Sequence, residues 1–390
     1  MINKLKKVKI KDILGIFIFI IVLIPSLVYK TYLKITKKEV WLICELKDMC
    51  RDNGYHFFKY MSEEHPEIKT FYAINKKCPD YNKIIKYDSK IIQWESLKHY
   101  FYYMSATKNI STHKEGNPNQ ALFTVLHLYL NLYNNRVFLQ HGITKDNVPM
   151  FYYKNTKFKK FICGAKREFE YIKDVFEYPN ENVVYTGFAR FDNLHKGKID
   201  KKQILIIPTW RRWFELENDE DKFLNSEYYK RWYSVLNNTK LINYIEENNF
   251  KIKFYPHYQM KKYINSFKSL SPNIEIVIHS NVQDLLIESA LMVTDYSSVY
   301  MDFAYMKKPV IYYQFDYVQY RKSHLKEGYF DYDKDGFGEI VYNEEKVIDA
   351  IIAYCNKECR TLPKYEKRMN EFFELNDDKN CERIYLELIK

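Results

Sequence analysis

The chain reads as two open α/β domains behind an apolar, membrane-associated N-terminal segment. Three observations predict this. Short runs rich in β-branched and aromatic residues alternate with longer charged, amphipathic stretches along most of the 390 residues. A polar, Gly-containing break near residues 194–202 divides those runs into two sets of six. One uncharged apolar stretch, residues 13–29, precedes them all.

That first stretch, ILGIFIFIIVLIPSLVY, is barely long enough to cross a bilayer, which takes about 20 residues. Lysines flank it on both sides, so charge asymmetry sets no orientation, and Pro25 is expected to kink a helix here. The reading is a monotopic or re-entrant anchor on the cytoplasmic face of the cell membrane, with a single span as the alternative. A cleaved signal peptide fits poorly: the run lacks a small-residue cleavage site, and KTYLKITKK is a poor exported start. Residues 1–38 are therefore taken as a basic, apolar anchor.

The first set of expected strands covers residues 40–44, 70–74, 108–112, 136–140, 161–163 and 183–186. The second covers 204–207, 251–255, 274–278, 291–294, 310–313 and 340–342. Most runs are continuously apolar, as in parallel strands covered by helices on both faces. Domains are expected over 39–197 and 198–390, and the last helix-like stretch, 365–389, is a candidate to pack back on the first. Two such domains facing each other make a cleft at the carboxyl ends of their strands, where ligands bind in open α/β sheets.

Composition narrows the classes. With 46% hydrophobic and 17% aromatic residues but only 10 Gly and 11 Pro, the chain is neither disordered nor collagenous. Its seven cysteines show no CxxC pair, so buried thiols in a reducing compartment are expected rather than disulfides or zinc. The net charge of +11 resembles a nucleic-acid signature until it is located: the first 40 residues carry +7 and the other 350 only +4. Basic residues beside an apolar run point to an anionic membrane surface and away from nucleic acid.

Four motifs sit directly after expected strands. Gln140-His141-Gly142 ends a strand in a turn. A neutral His141 there can accept a proton, and Gly142 allows the tight turn; a hydrogen-bonded structural histidine is the other reading. In Pro208-Thr209-Trp210-Arg211, Arg211 can fork onto a phosphate with Thr209 adding a hydroxyl, against a surface Arg packed by Trp. Tyr255-Pro256-His257 places a second imidazole that could stabilise phosphoryl charge, a weak signal alone. In Asp295-Tyr296-Ser297-Ser298 a strand feeds an amphipathic helix, and Ser297 or Ser298 can cap it while free N–H groups meet phosphate; a capped helix without ligand is the alternative. No phosphate loop, GxGxxG, GxSxG or HExxH is present. The acidic run 215–221 reads as a solvated loop rather than a metal site; no metal ligand and no cofactor are assigned, and a metal requirement stays open.

Together LQHG, PTWR, YPH and VTDYSSVYMDFAYMKKPVIYYQFD resemble, in order and spacing over residues 137–316, the CDP-glycerol glycerophosphotransferase family of teichoic acid glycerol-phosphate and ribitol-phosphate transferases. The resemblance implies two Rossmann-like domains of glycosyltransferase-B type, an N-terminal acceptor domain and a C-terminal donor domain. It implies a CDP-glycerol or CDP-ribitol donor and an undecaprenyl-linked saccharide or polymer acceptor in teichoic acid or capsule synthesis. His141 then matches the catalytic base, His257 the second histidine and Arg211 the Arg of the TWR, both on the donor diphosphate; Asp295, Ser297 and Ser298 match the phosphate-holding DYSS. Ile143 stands where family polymerases often carry Thr, and the length fits a priming or single-addition enzyme better than a processive one. A nucleotide-sugar glycosyltransferase or epimerase of the same architecture is the nearest rival, and a silent lectin-like module the rival from another class.

Overall fold

The computed structural model describes residues 10–214, 219–278, 280–323 and 326–390. The lysines of residues 1–9 and the start of the acidic run, 215–218, lie outside the described residues. The fold divides into two compact units.

The first unit runs to His141, resumes over Pro149–Asp192 and ends with Asp377–Lys390. Its seven-stranded sheet is parallel throughout, with strands β1 (Val40–Cys44), β2 (Lys69–Ile74), β3 (Ile91–Gln93), β4 (Lys108–Ser111), β5 (Arg136–Phe138), β6 (Lys160–Cys163) and β7 (Val183–Tyr185) in the order 3-2-1-4-5-6-7. The second unit takes Gly142–Val148 and Asn193–Asn376. Its six strands are β8 (Asp200–Ile206), β9 (Lys251–Phe254), β10 (Ile274–Ile276), β11 (Ser289–Thr294), β12 (Val310–Tyr313) and β13 (Gly338–Val341), again all parallel, in the order 10-9-8-11-12-13. β1, β11 and β12 are buried along their whole length, which explains their unbroken apolar sequences. Both sheets reverse strand order once, between β1 and β4 and between β8 and β11.

The expected α/β class holds for both units. β3 was not expected, because three residues, IIQ, behind the polar KYDSK form only a short edge strand. All seven cysteines are buried thiols outside any disulfide.

Two segments cross the expected boundary at 197/198. Gly142–Val148 belongs to the second unit, held there by Asp146 to Arg321 (2.7 Å) and Asn147 N to Lys326 O (2.9 Å). The closing helix, Asn380–Ile389, belongs to the first unit, where a remote carboxylate replaces a local cap. Asp192 accepts from Asn380 N (2.8 Å), Asn380 Nδ2 (2.7 Å) and Cys381 N (2.8 Å), answering the donors a helix start leaves open. Lys160 to Glu387 (2.8 Å) and the Tyr385 ring stacked on His65 complete the attachment.

At the N-terminus one helix, Ile10–Thr36, runs on through Pro25. Over Ile13–Thr36 its mean hydropathy reaches 2.5, long and apolar enough to cross a membrane by length and composition. One stripe of it is docked. Val22, Ser26 and Leu33 are buried, and Ile18, Phe19, Leu23 and Tyr29 pack beside them against the helices Leu97–Ser105 and Gln120–Leu128, at the three-and-four spacing of a helix face. Gly15 permits the approach, since a Cβ there would lie 2.3 Å from both Tyr100 Oη and Asn119 Nδ2. The remaining faces, including Phe17, Ile20, Ile21, Ile24 and Val28, are bare.

Candidate active site

In the first unit the polar side chains gather at the carboxyl ends of β1, β4 and β5, around the reversal of strand order where open α/β sheets bind ligands. Glu45 directly follows β1 and accepts the backbone N–H groups of Arg51 (2.9 Å), Asp52 (2.8 Å) and Tyr55 (2.8 Å). This shapes the loop so that Asp52 caps the helix Asn53–Glu64 through Asn53 N (2.7 Å). Burial, and then Asp52, push the Glu45 carboxyl up to about 7.

His141 follows β5 through a left-handed residue. That residue is Gln140, at φ 59°, and not Gly142, whose φ is not positive. Gln140 is buried and locked by its Nε2, which donates to Ile162 O (2.6 Å) and Glu168 Oε1 (3.0 Å). The expected tight turn is therefore built one residue before the histidine, with side-chain bonds offsetting the backbone strain. Gly142 instead gives room: a Cβ on it would meet Ser298 Oγ at 3.3 Å.

The His141 ring donates from Nδ1 to Asp52 Oδ2, while 66% of its side chain stays exposed. Arg190 completes the group from just beyond β7, its Nη1 donating to Asp52 Oδ1 (2.9 Å) and to the His141 carbonyl (2.9 Å). Asn53 ties the same backbone by donating to Gln140 O (2.8 Å) and accepting from Arg190 N (3.1 Å). Burial opposes charge on Asp52, but His141 and Arg190 outweigh it and hold the carboxyl well below the usual range. The Asp52 charge in turn raises His141 above an ordinary histidine. His113, two residues beyond β4, lies beside it with ring centroids 5.1 Å apart. Burial first, and then His141, lower the His113 ring to about 4.

In the second unit Thr209, Arg211, Asp295, Ser297 and Ser298 come together at the ends of β8 and β11, but not as expected. Arg211 turns inward. It is fully buried, with Nε donating to Asp316 Oδ2 (2.7 Å), Nη2 to Asp316 Oδ1 (3.0 Å) and Nη1 to Thr209 O (2.6 Å). Asp295 Oδ2 sits 2.8 Å from Nη2, and the rings of Tyr228, Tyr296 and Tyr320 close around the guanidinium. Asp295 is buried too, accepting from Thr209 N (2.8 Å) and Tyr296 N (2.6 Å). Both residues brace the loops after β8 and β11 rather than offer themselves to phosphate.

The groups left for a ligand are hydroxyls and an imidazole. Thr209 Oγ1 is buried with no hydrogen-bond partner among the described residues. Ser298 is exposed and Ser297 half-buried, its Oγ accepting from Val299 N at 3.4 Å. Neither serine caps the helix Tyr300–Tyr305: Val299 begins it without a side-chain cap, and all six helical residues are buried, so the expected amphipathic helix is a short core one. His257 is half-buried and stacks on Trp210, ring centroids 6.1 Å apart.

Asp52, Arg190 and His113 were missed in the sequence. The rule that flagged His141, polar residues just past a strand's carboxyl end, also flags Glu45, His113 and Arg190, whereas Asp52 carries only an N-cap signal before NGYHFF.

A match to the family CDP-Glycerol:Poly(glycerophosphate) glycerophosphotransferase spans residues 27–390. The chain is 36% identical over 374 residues to the minor teichoic acid biosynthesis protein GgaB of Bacillus subtilis (strain 168), covering 93% of this chain and 41% of that protein. It is 24% identical over 363 residues to the teichoic acid poly(glycerol phosphate) polymerase of the same strain, covering 85% and 46%. It thus spans less than half the length of these two curated relatives. The structure of the wall teichoic acid polymerase TagF superposes with a TM-score of 0.67 at 16% identity over 98% of both chains, a likeness of fold. With the motifs in order and the family match running from residue 27 to the last, the chain belongs to the CDP-glycerol:poly(glycerophosphate) glycerophosphotransferase family.

Proposed function

We propose that this chain transfers glycerol phosphate, or another polyol phosphate, from a CDP-activated donor to a lipid-linked saccharide or polymer in teichoic acid or capsule synthesis, releasing CMP. The observation that carries the reading is the Asp52–His141 pair: a buried carboxylate fixes Nδ1–H, so Nε2 holds the lone pair on an exposed ring edge. Such an imidazole takes the proton of an acceptor hydroxyl as its oxygen attacks the donor's β-phosphorus. The new O–P bond forms, the bridging P–O bond breaks, and CMP leaves with the electron pair. Asp52 stabilises the imidazolium so formed, and positioning with charge stabilisation supplies the remainder.

In this reading Thr209, His257, Ser297 and Ser298 engage the donor's phosphates, and Arg211 with Asp295 holds the loops that carry them. The unpartnered Thr209 hydroxyl supports this assignment, since a buried polar atom without a partner is costly unless a ligand or water meets it.

The docked stripe of the helix Ile10–Thr36 favours an anchor lying in the plane of an anionic bilayer, on the cytoplasmic side, over a free span. Tyr129, Leu130 and Leu132, just after the helix it packs against, are exposed apolar residues as well.

The test supplies the full chain with undecaprenyl-linked acceptor and CDP-glycerol, CDP-ribitol or a UDP-sugar. CMP release that falls roughly 10²–10⁴-fold in His141→Ala is expected. UDP release without CMP release would replace the reading with a glycosyltransferase or epimerase.

A further inference from the structure

His113 stands beside the Asp52–His141 pair, in a loop built to hold it. Ser111 Oγ donates to the His113 carbonyl (2.8 Å) and accepts from His113 N (3.1 Å), and Gly116 N donates to the same carbonyl (3.2 Å). Gly116 has to be glycine, because a Cβ there would lie 2.0 Å from Ser111 Oγ. A loop this tightly closed fixes where the ring goes.

The tautomer follows from one neighbour. His113 Nδ1 lies 2.7 Å from Thr112 Oγ1. Thr112 is buried, and among the described residues its hydroxyl has no other acceptor, so the hydroxyl donates to Nδ1. The opposite arrangement would strand a buried O–H, at a cost of about 1–3 kcal/mol. The ring proton therefore sits on Nε2, which meets no protein acceptor among the described residues. A neutral imidazole whose Nε2–H is not taken up by a protein acceptor is a hydrogen-bond donor for a ligand, and it lies next to the ring whose Nε2 is an acceptor.

We infer that His113 binds the acceptor, its Nε2–H donating to an oxygen of the incoming polyol or saccharide adjacent to the hydroxyl that His141 deprotonates. This rests on His141 being the base. The two rings, 5.1 Å between centroids and 33° between planes, divide the work on one oxygen-rich substrate: one donates without taking a proton, the other accepts. Polyols and sugars carry neighbouring oxygens of this kind, so the pair selects hydroxyl-dense acceptors over isolated alcohols.

The experiment measures acceptor and donor KM separately, with CDP-glycerol as donor and an undecaprenyl-diphosphate-linked disaccharide as acceptor probe. His113→Phe is expected to raise acceptor KM about threefold to tenfold, with donor KM and Tm near wild type. His113→Gln, which keeps an N–H near the Nε2 position, restores most of the loss. Thr112→Val, isosteric and without the orienting hydroxyl, gives an intermediate acceptor KM, and it keeps the test open if the Phe variant folds poorly. Unchanged acceptor KM in both His113→Phe and Thr112→Val overturns the inference, as does a Gln variant no better than Phe. Full turnover in His141→Ala would instead sink the base assignment, a result readable apart from the His113 series.

Discussion

Arg211 and Asp316 meet side-on inside the second unit, through Nε to Oδ2 at 2.7 Å and Nη2 to Oδ1 at 3.0 Å, with neither side chain in contact with solvent to any useful extent. A guanidinium so enclosed fastens the TWR loop to the Tyr296 hydroxyl's partner and to Asp295, and its contribution is to stability.

Removing one partner leaves the other as an uncompensated buried charge. Arg211→Met or Asp316→Asn is expected to destabilise the protein by about 3–5 kcal/mol in denaturant titrations. A variant of normal stability with a raised donor KM would return Arg211 to direct phosphate binding.

With His141 as the proposed base, Asp52 sets the pH at which it can act. Its charge raises the His141 pKa, so the free base is lost, and turnover falls, as pH drops through a value above the ordinary 6.5. In Asp52→Asn the acid limb of kcat against pH should move to lower pH, while kcat on the alkaline plateau falls roughly 10²-fold or more as the tautomer is released. An unmoved acid limb would separate the two residues.

Asp192 holds the last helix by three donors. Asp192→Ala leaves Asn380 N and Cys381 N without their acceptor and should cost about 1–3 kcal/mol. Amide exchange read by mass spectrometry should rise first over Asn380–Ile389. Uniform exchange across the chain would contradict this.

The bare face of the first helix is expected to meet lipid. Ile20, Ile24 and Val28 lie one turn apart and are 60%, 72% and 65% exposed. Replacing all three with Gln should lower co-sedimentation with phosphatidylglycerol-containing vesicles by roughly tenfold or more while Tm holds, since each apolar side chain is worth about 1.5–3 kcal/mol when buried. Unchanged sedimentation would assign that face elsewhere.

Apolar runs such as VWLIC and VIYY announce parallel strands without any tertiary information, because burial on both faces leaves no polar position in them. Motif positions were legible for the same reason: residues after such strands are forced to the sheet edge. Partners were not. Arg211 reads as a phosphate fork until Asp316, 105 residues on, occupies it, and His141 reads as a lone histidine until Asp52 arrives from 89 residues earlier. Side-chain direction at a sheet edge is decided by such distant companions, which local pattern does not carry.

Asp192 waits for Asn380, which comes 188 positions later in the chain. On a ribosome, that carboxylate emerges long before the peptide groups it binds, and everything from Asn193 to Asn376 is made in the interval. The earlier-synthesised half is thus the one finished last, closed only by the arrival of Asp377–Lys390. Premature release of the nascent chain would leave its sheet lacking one covering helix however well the later half had matured.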